Sequence, residues 1–148
     1  MLEIEASASN GKFSGVTKTY IEADGKRLIN LGQMLLNFPQ DVEQKVVCEF
    51  GADENYLKSV DETKKRFPKV LAHLSYISLA FRCRDNTDYT VAEITLQEGI
   101  DEDMKEGIKA KVHMEMPFDP AYITDFGKEL VSMGEKKEGH AVLRGHPE

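Results

Sequence analysis

Ile108-Lys109-Ala110-Lys111-Val112-His113-Met114-Glu115-Met116-Pro117-Phe118-Asp119-Pro120 is the stretch that decides the fold class. Ile108, Ala110, Val112, Met114, Met116 and Phe118 hold six successive alternate positions, with Lys109, Lys111, His113 and Glu115 between them. Successive side chains of a strand point to opposite faces, so this pattern predicts a strand with one face in the core and one in water. Asp119-Pro120 then opens a helix: Asp119 supplies a capping carboxylate, and Pro120 sits in the first turn, where a missing N–H is harmless. The helix is expected over about 120–133, with Ile123, Phe126, Leu130 and Val131 on its apolar face and an end near Gly134.

The same grammar extends toward the N-terminus. Leu2–Ala6 and Lys12–Glu22 read as strands joined by the Ser9-Asn10-Gly11 turn, a hairpin. Asp24 precedes a second amphipathic helix, expected over about 25–37, with Leu28, Leu31, Leu35 and Leu36 at helical spacing and Pro39 ending it. Val42, Val46, Cys48 and Phe50 alternate with Glu43, Lys45 and Glu49, a half-buried strand stopped by Gly51, with Val47 the exception on its polar face. Ile77 to Cys83 and Tyr89 to Gln97 form a second hairpin around Asp85-Asn86-Thr87-Asp88. The charged stretch from Asp53 to Pro68 fits no period and reads as a long loop, and Glu98 to Gly107 reads as an acidic one. The sum is an α+β domain over 1–134: a mostly antiparallel sheet of about six strands with two amphipathic helices. Residues 135–148, polar with two glycines and a proline, read as a flexible tail.

The two helices echo each other at a constant offset of 95: Asp24 with Asp119, Leu28 with Ile123, Leu31 with Phe126, Gly32 with Gly127, Leu35 with Leu130, Leu36 with Val131. Such an echo suggests an internal pseudo-repeat of strand-to-helix units. A mid-helix glycine costs about 1 kcal/mol relative to alanine. Gly32 and Gly127 are therefore read as structural, marking close approach to the sheet or to the other helix.

Length and composition set the class. A chain of 148 residues, 41% hydrophobic and 30% charged, is long enough to bury a core as one domain. No run approaches the ~20 apolar residues of a membrane helix. Met1-Leu2-Glu3-Ile4-Glu5 places acids where a secretory signal carries bases, so a cytoplasmic location without membrane attachment is expected. Net charge −7 opposes binding to phosphate backbones, which excludes nucleic acid as the expected partner; it suits either encounter with a basic protein or plain solubility, and charge alone does not separate the two.

The search for chemistry yields little. His73, His113, His140 and His146 have no metal-ligand spacing, there is no nucleophile elbow, and no glycine-rich phosphate loop begins either helix. Cys48 and Cys83 sit in strand-like runs and read as core thiols, with a disulfide between neighbouring strands as the other arrangement; Cys83 with His73 is the best catalytic pair the sequence offers. No cofactor, metal or catalytic constellation is expected. The acidic residues Asp85, Asp88, Asp101, Glu102 and Asp103 lack calcium-loop spacing; they read either as solvated loop acids or as candidate partner-binding residues, a negative docking surface joined by Asp53, Glu54, Asp61 and Glu62.

Gly11-Lys12-Phe13-Ser14-Gly15, Tyr20-Ile21, Leu35-Leu36-Asn37-Phe38-Pro39, Glu49-Phe50-Gly51, Phe81-Arg82-Cys83-Arg84-Asp85 and Phe126-Gly127-Lys128-Glu129-Leu130, taken in order, resemble the WapI-like immunity proteins of bacteria. The resemblance spans most of 1–133, and the stretch 53–68 departs from it. It implies a non-catalytic domain that binds and occludes a contact-dependent toxin; it carries no catalytic residue across. Two other classes stay open: a structural module that self-assembles through sheet edges, and a small-ligand-binding protein or hydrolase, which requires a pocket with converging polar groups.

Overall fold

The computed structural model describes residues 2–51, 75–84, 89–98 and 110–144. Among these residues, six strands and two helices follow in the order β1 (Leu2–Ser9), β2 (Ser14–Ile21), α1 (Lys26–Leu36), β3 (Lys45–Gly51), β4 (Tyr76–Cys83), β5 (Thr90–Gln97), β6 (Lys111–Phe118) and α2 (Pro120–Lys136). The fold is α+β and every strand pairing is antiparallel. The strands divide into two sheets, a β1–β2 ribbon and a four-stranded sheet in the order β3-β4-β5-β6.

Local chemistry fixes the turns. Asn10 accepts from Lys12 N at 3.0 Å and Phe13 N at 2.8 Å, and Gly11 takes φ 88, so the first hairpin closes where the side chain of Asn10 replaces ladder bonds. Asp41 captures Glu43 N at 2.9 Å, and Gln44 N reaches Asp41 O. That turn is why β3 begins at Lys45 and leaves Val42 exposed, later than the alternation from Val42 suggests.

The ribbon lies across the end of the larger sheet. A Cβ on Gly15 would meet Val112 of β6 at 2.8 Å; Thr17 Oγ1 donates to Gln97 O of β5 at 3.0 Å; Thr19 Oγ1 donates to Ser75 O, next to β4, at 3.3 Å, and abuts Gly51 of β3. Alternate residues of β2 thus meet β6, β5, β4 and β3 in turn, an orthogonal crossing. Its inward face, with Thr17, Thr19 and Ile21 buried, closes that end of the core.

The helices cover the remainder and run antiparallel to each other. A Cβ on Gly32 would stand 2.5 Å from Gly127 O, and one on Gly25 would stand 2.4 Å from Gly134 O. The close approach belongs to the helix pair. Gly25 to Gly32 and Gly127 to Gly134 are both steps of seven, two helical turns, so the two contacts recur along one stripe. Gly134 is therefore a packing position, and α2 continues through it to Lys136, ending where Lys137 takes φ 60. The expected tail from 135 begins as helix to Lys136; beyond it Ala141 and Leu143 pack against the core cluster and Val142 N donates to Glu129 of α2. Asp119 caps α2 by accepting from Ala121 N at 2.8 Å. α1 starts at Lys26 behind Gly25 (φ 69), with Asp24 accepting from Lys26 N at 3.0 Å. Phe81 of β4 joins the layers, its ring 6.4 Å from Phe38 and 6.3 Å from Phe126.

Candidate interaction surface

The helices and ribbon cover the inner face of the four-stranded sheet, whose residues include Val46, Phe50, Ile77, Phe81, Ala92, Leu96, Met114 and Phe118, all buried. Alternation directs the intervening residues outward, and strand register sets them in rows: Lys45, Arg82, Val91 and Pro117; Val47, Ala80, Glu93 and Glu115; Glu49, Ser78, Thr95 and His113. This outer face holds the densest polar chemistry among the described residues.

Arg82 organises it. Its Nε donates to Glu93 Oε1 at 2.8 Å and its Nη2 to Glu115 Oε1 at 2.9 Å, reaching from β4 over β5 to β6. Glu93 and Glu115 stand directly opposite each other, where like charges repel. The hydrogen bond from Arg82 is the main reason the Glu93 carboxyl lies below its usual range, against partial burial; the charges of Arg82, Lys45 and His113 act the same way. The Arg82 guanidinium is in turn raised, first by its bond to Glu93. One row along, Thr95 Oγ1 and His113 Nδ1 lie 2.8 Å apart, and at the β3 side Tyr76 OH donates to Glu49 Oε1 at 2.9 Å. Gln97, 4% exposed, carries a side-chain carbonyl with no hydrogen-bond partner among the described residues.

Asp85, Asp88, Asp101, Glu102 and Asp103 lie outside the described residues, as do Asp53, Glu54, Asp61, Glu62, His73 and His146. Their attachment points are fixed. Arg84 N donates to Tyr89 O at 2.8 Å and closes one gap, whereas Glu98 N donates to Ala110 O at 2.9 Å and closes the other. These closures flank β5 at Tyr89 and Glu98, roughly 31 Å apart at 3.4 Å per residue. Gly32 and Gly127 have the helix contacts described above and Asp119 caps α2, whereas Asp24 precedes the Gly25 N-cap of α1 and accepts from Lys26 N without capping the helix.

Neither Cys48 nor Cys83 is in a disulfide. Cys48 is half-buried with its thiol pushed up by burial, and Cys83 is buried on the inner face, away from Arg82. Among the described residues no group of His, Cys, Asp and Glu is arranged to hold a metal ion, and no helix is long and apolar enough to cross a membrane. The Arg82–Glu93–Glu115 cluster escaped the reading of the sequence: alternation puts all three on polar faces, but only the register between strands brings them together. No family model, curated protein or solved structure matches the chain.

Proposed function

We propose that this chain is a non-catalytic, protein-binding domain of the immunity type, acting in the bacterial cytoplasm to neutralise a basic toxin or nuclease domain by covering it. The observation that carries the reading is the outer sheet face: Glu49, Glu93 and Glu115 stand on three strands whose register fixes their spacing, in a chain of net charge −7. Arg82 bridges the facing carboxylates of Glu93 and Glu115, and Lys45 and Lys111 stand on the same face, so its three carboxylates alternate with three cations and the net charge of −7 is carried elsewhere in the chain. Side chains carried on strands lose little freedom on binding, and an acidic field speeds encounter with a basic partner. The resemblance to WapI-like immunity proteins supports the same class.

The test is a pull-down with this protein as bait from lysate of its own source, washed at low and then moderate salt. Capture of one basic domain, released as salt rises, is the expected result; capture of no partner overturns the reading. Two sets of variants then locate the contact: Asp101, Glu102 and Asp103 neutralised together, and Glu49→Gln with Glu115→Gln. The set that slows association and flattens its salt dependence marks the surface, and unchanged on-rates in both remove the electrostatic docking.

A second reading, self-assembly, draws on the sheet edges: among the described residues β3 and β6 each have one hydrogen-bonded neighbour. Such edges invite pairing with another strand. A sedimentation coefficient that does not change with concentration removes that reading.

A further inference from the structure

The segment after α2 behaves like a bound peptide. The chain reverses at Lys137 (φ 60) and Gly139 (φ 109) and returns along the helix. Val142 N–H donates to Glu129 Oε2 at 2.6 Å, and Arg144 Nη1 lies 3.9 Å from Glu129 Oε1. Ala141 and Leu143 are half-buried against the core cluster, whereas Val142 and Arg144 are exposed. This alternation is that of an extended strand. Glu129, Ser132, Met133 and Lys136 of α2 form one wall of a cleft of about 260 Å³, and residues 138–140 form the other.

We propose that residues 140–144 are an internal ligand, occupying in the free protein a groove on α2 that takes an extended basic segment of the partner. The proposal rests on the basic-partner reading above and gives it a location. The segment shows what the groove accepts: two apolar side chains at alternate positions, a backbone N–H on the carboxylate of Glu129, and an arginine beside that same carboxylate. Both polar ties converge on one residue. The ion pair is long and largely exposed, a geometry that contributes little, and among the described residues of the segment two half-buried side chains, Ala141 and Leu143, assist it. Local release of such a segment requires far less free energy than unfolding the domain. While attached, it also competes with a free peptide at high effective concentration, so the groove is hidden until the strap is displaced.

The test uses the full-length protein. Val142→Pro removes the donor and leaves Glu129 in place. Trypsin is then expected to cut after Lys137 roughly tenfold faster than in the parent, as local opening dominates cleavage. A labelled peptide of the sequence Gly-His-Ala-Val-Leu-Arg, residues 139–144, is expected to bind Val142→Pro at least about tenfold more tightly than the parent, because it no longer competes with the strap. Adding Glu129→Gln should abolish that gain. Equal peptide binding to parent and Val142→Pro, or binding indifferent to Glu129→Gln, overturns the proposal. If Val142→Pro does not fold, amide exchange at Val142 in Glu129→Gln replaces it: faster exchange with the core amides unchanged supports the latch, and unaltered exchange sinks it. No partner protein enters these measurements, so their failure is distinct from failure of the pull-down.

Discussion

Arg82 separates two carboxylates that the backbone forces together. Replacing it with methionine keeps the aliphatic cover of the strand and leaves Glu93 and Glu115 facing each other. Arg82→Met is expected to destabilise the domain by about 1 kcal/mol at pH 7, the scale of a partly exposed charge network. The sign of the pH dependence follows from Glu93, whose carboxyl is held low in the folded protein. Its contribution is complete above the ordinary glutamate value near ~4.3 and is lost as pH falls through the lower folded value. Urea unfolding of parent and Arg82→Met at pH 7 and in acid should therefore converge in acid; a gap that persists there would contradict the assignment. Gln97 is the opposite case, a buried carbonyl without a donor among the described residues. Gln97→Met removes that unsatisfied acceptor at similar volume and is expected to leave the melting temperature unchanged or raise it, by up to about 1 kcal/mol in stability.

At the scale of elements, the helix pair makes the sharpest prediction. Alanine favours a helix over glycine by about 1 kcal/mol, yet a Cβ on Gly32 would stand 2.5 Å from the backbone oxygen of Gly127, which no rotamer can move. Overpacking of this kind typically costs 1–3 kcal/mol, so Gly32→Ala should lower the melting temperature despite the propensity gain. Thermal unfolding that rises instead would mean that the helices separate freely. Asp119→Ala should cost about 1 kcal/mol through loss of the cap on Ala121 N, measured the same way. Much of this level was legible in the chain. Periods of two and 3.6 are local signals, and β6 and both helices announce themselves through Val112, Met114 and Phe118, or Leu28, Leu31 and Leu35. Gly32 and Gly127 were legible as close-approach positions, but not what they approach. Gly134 reads as a stop because the sequence alone does not reveal Gly25 O beside it. The register that joins Arg82 to Glu115 has no local signature at all, and neither does the split of six strands into two sheets.

On the scale of the whole molecule, the charge is distributed around a rigid sheet. The two acidic stretches named from the sequence attach to opposite ends of β5, and the carboxylates of the outer face lie between those ends. If docking uses the outer face, the logarithm of the on-rate should fall as ionic strength rises, whereas the dissociation rate should change little. Stopped-flow association at three salt concentrations tests this, and a salt-independent on-rate would assign the binding energy to apolar contact.

The crossing of β2 over all four strands has a consequence for the order of events as the chain is made. Thr17 leans on Gln97, 80 residues further along, and Gly15 on Val112 of β6. A ribosome adding about 5–20 residues per second leaves the first hairpin without its supporting surface for roughly 5–20 seconds. Thr19 gains Gly51 and Ser75 part-way through that interval, whereas Thr17 and Gly15 wait for β5 and β6 to the end of it. The first element synthesised is thus among the last to be secured, and the nascent hairpin is the natural client for any chaperone that attends this protein.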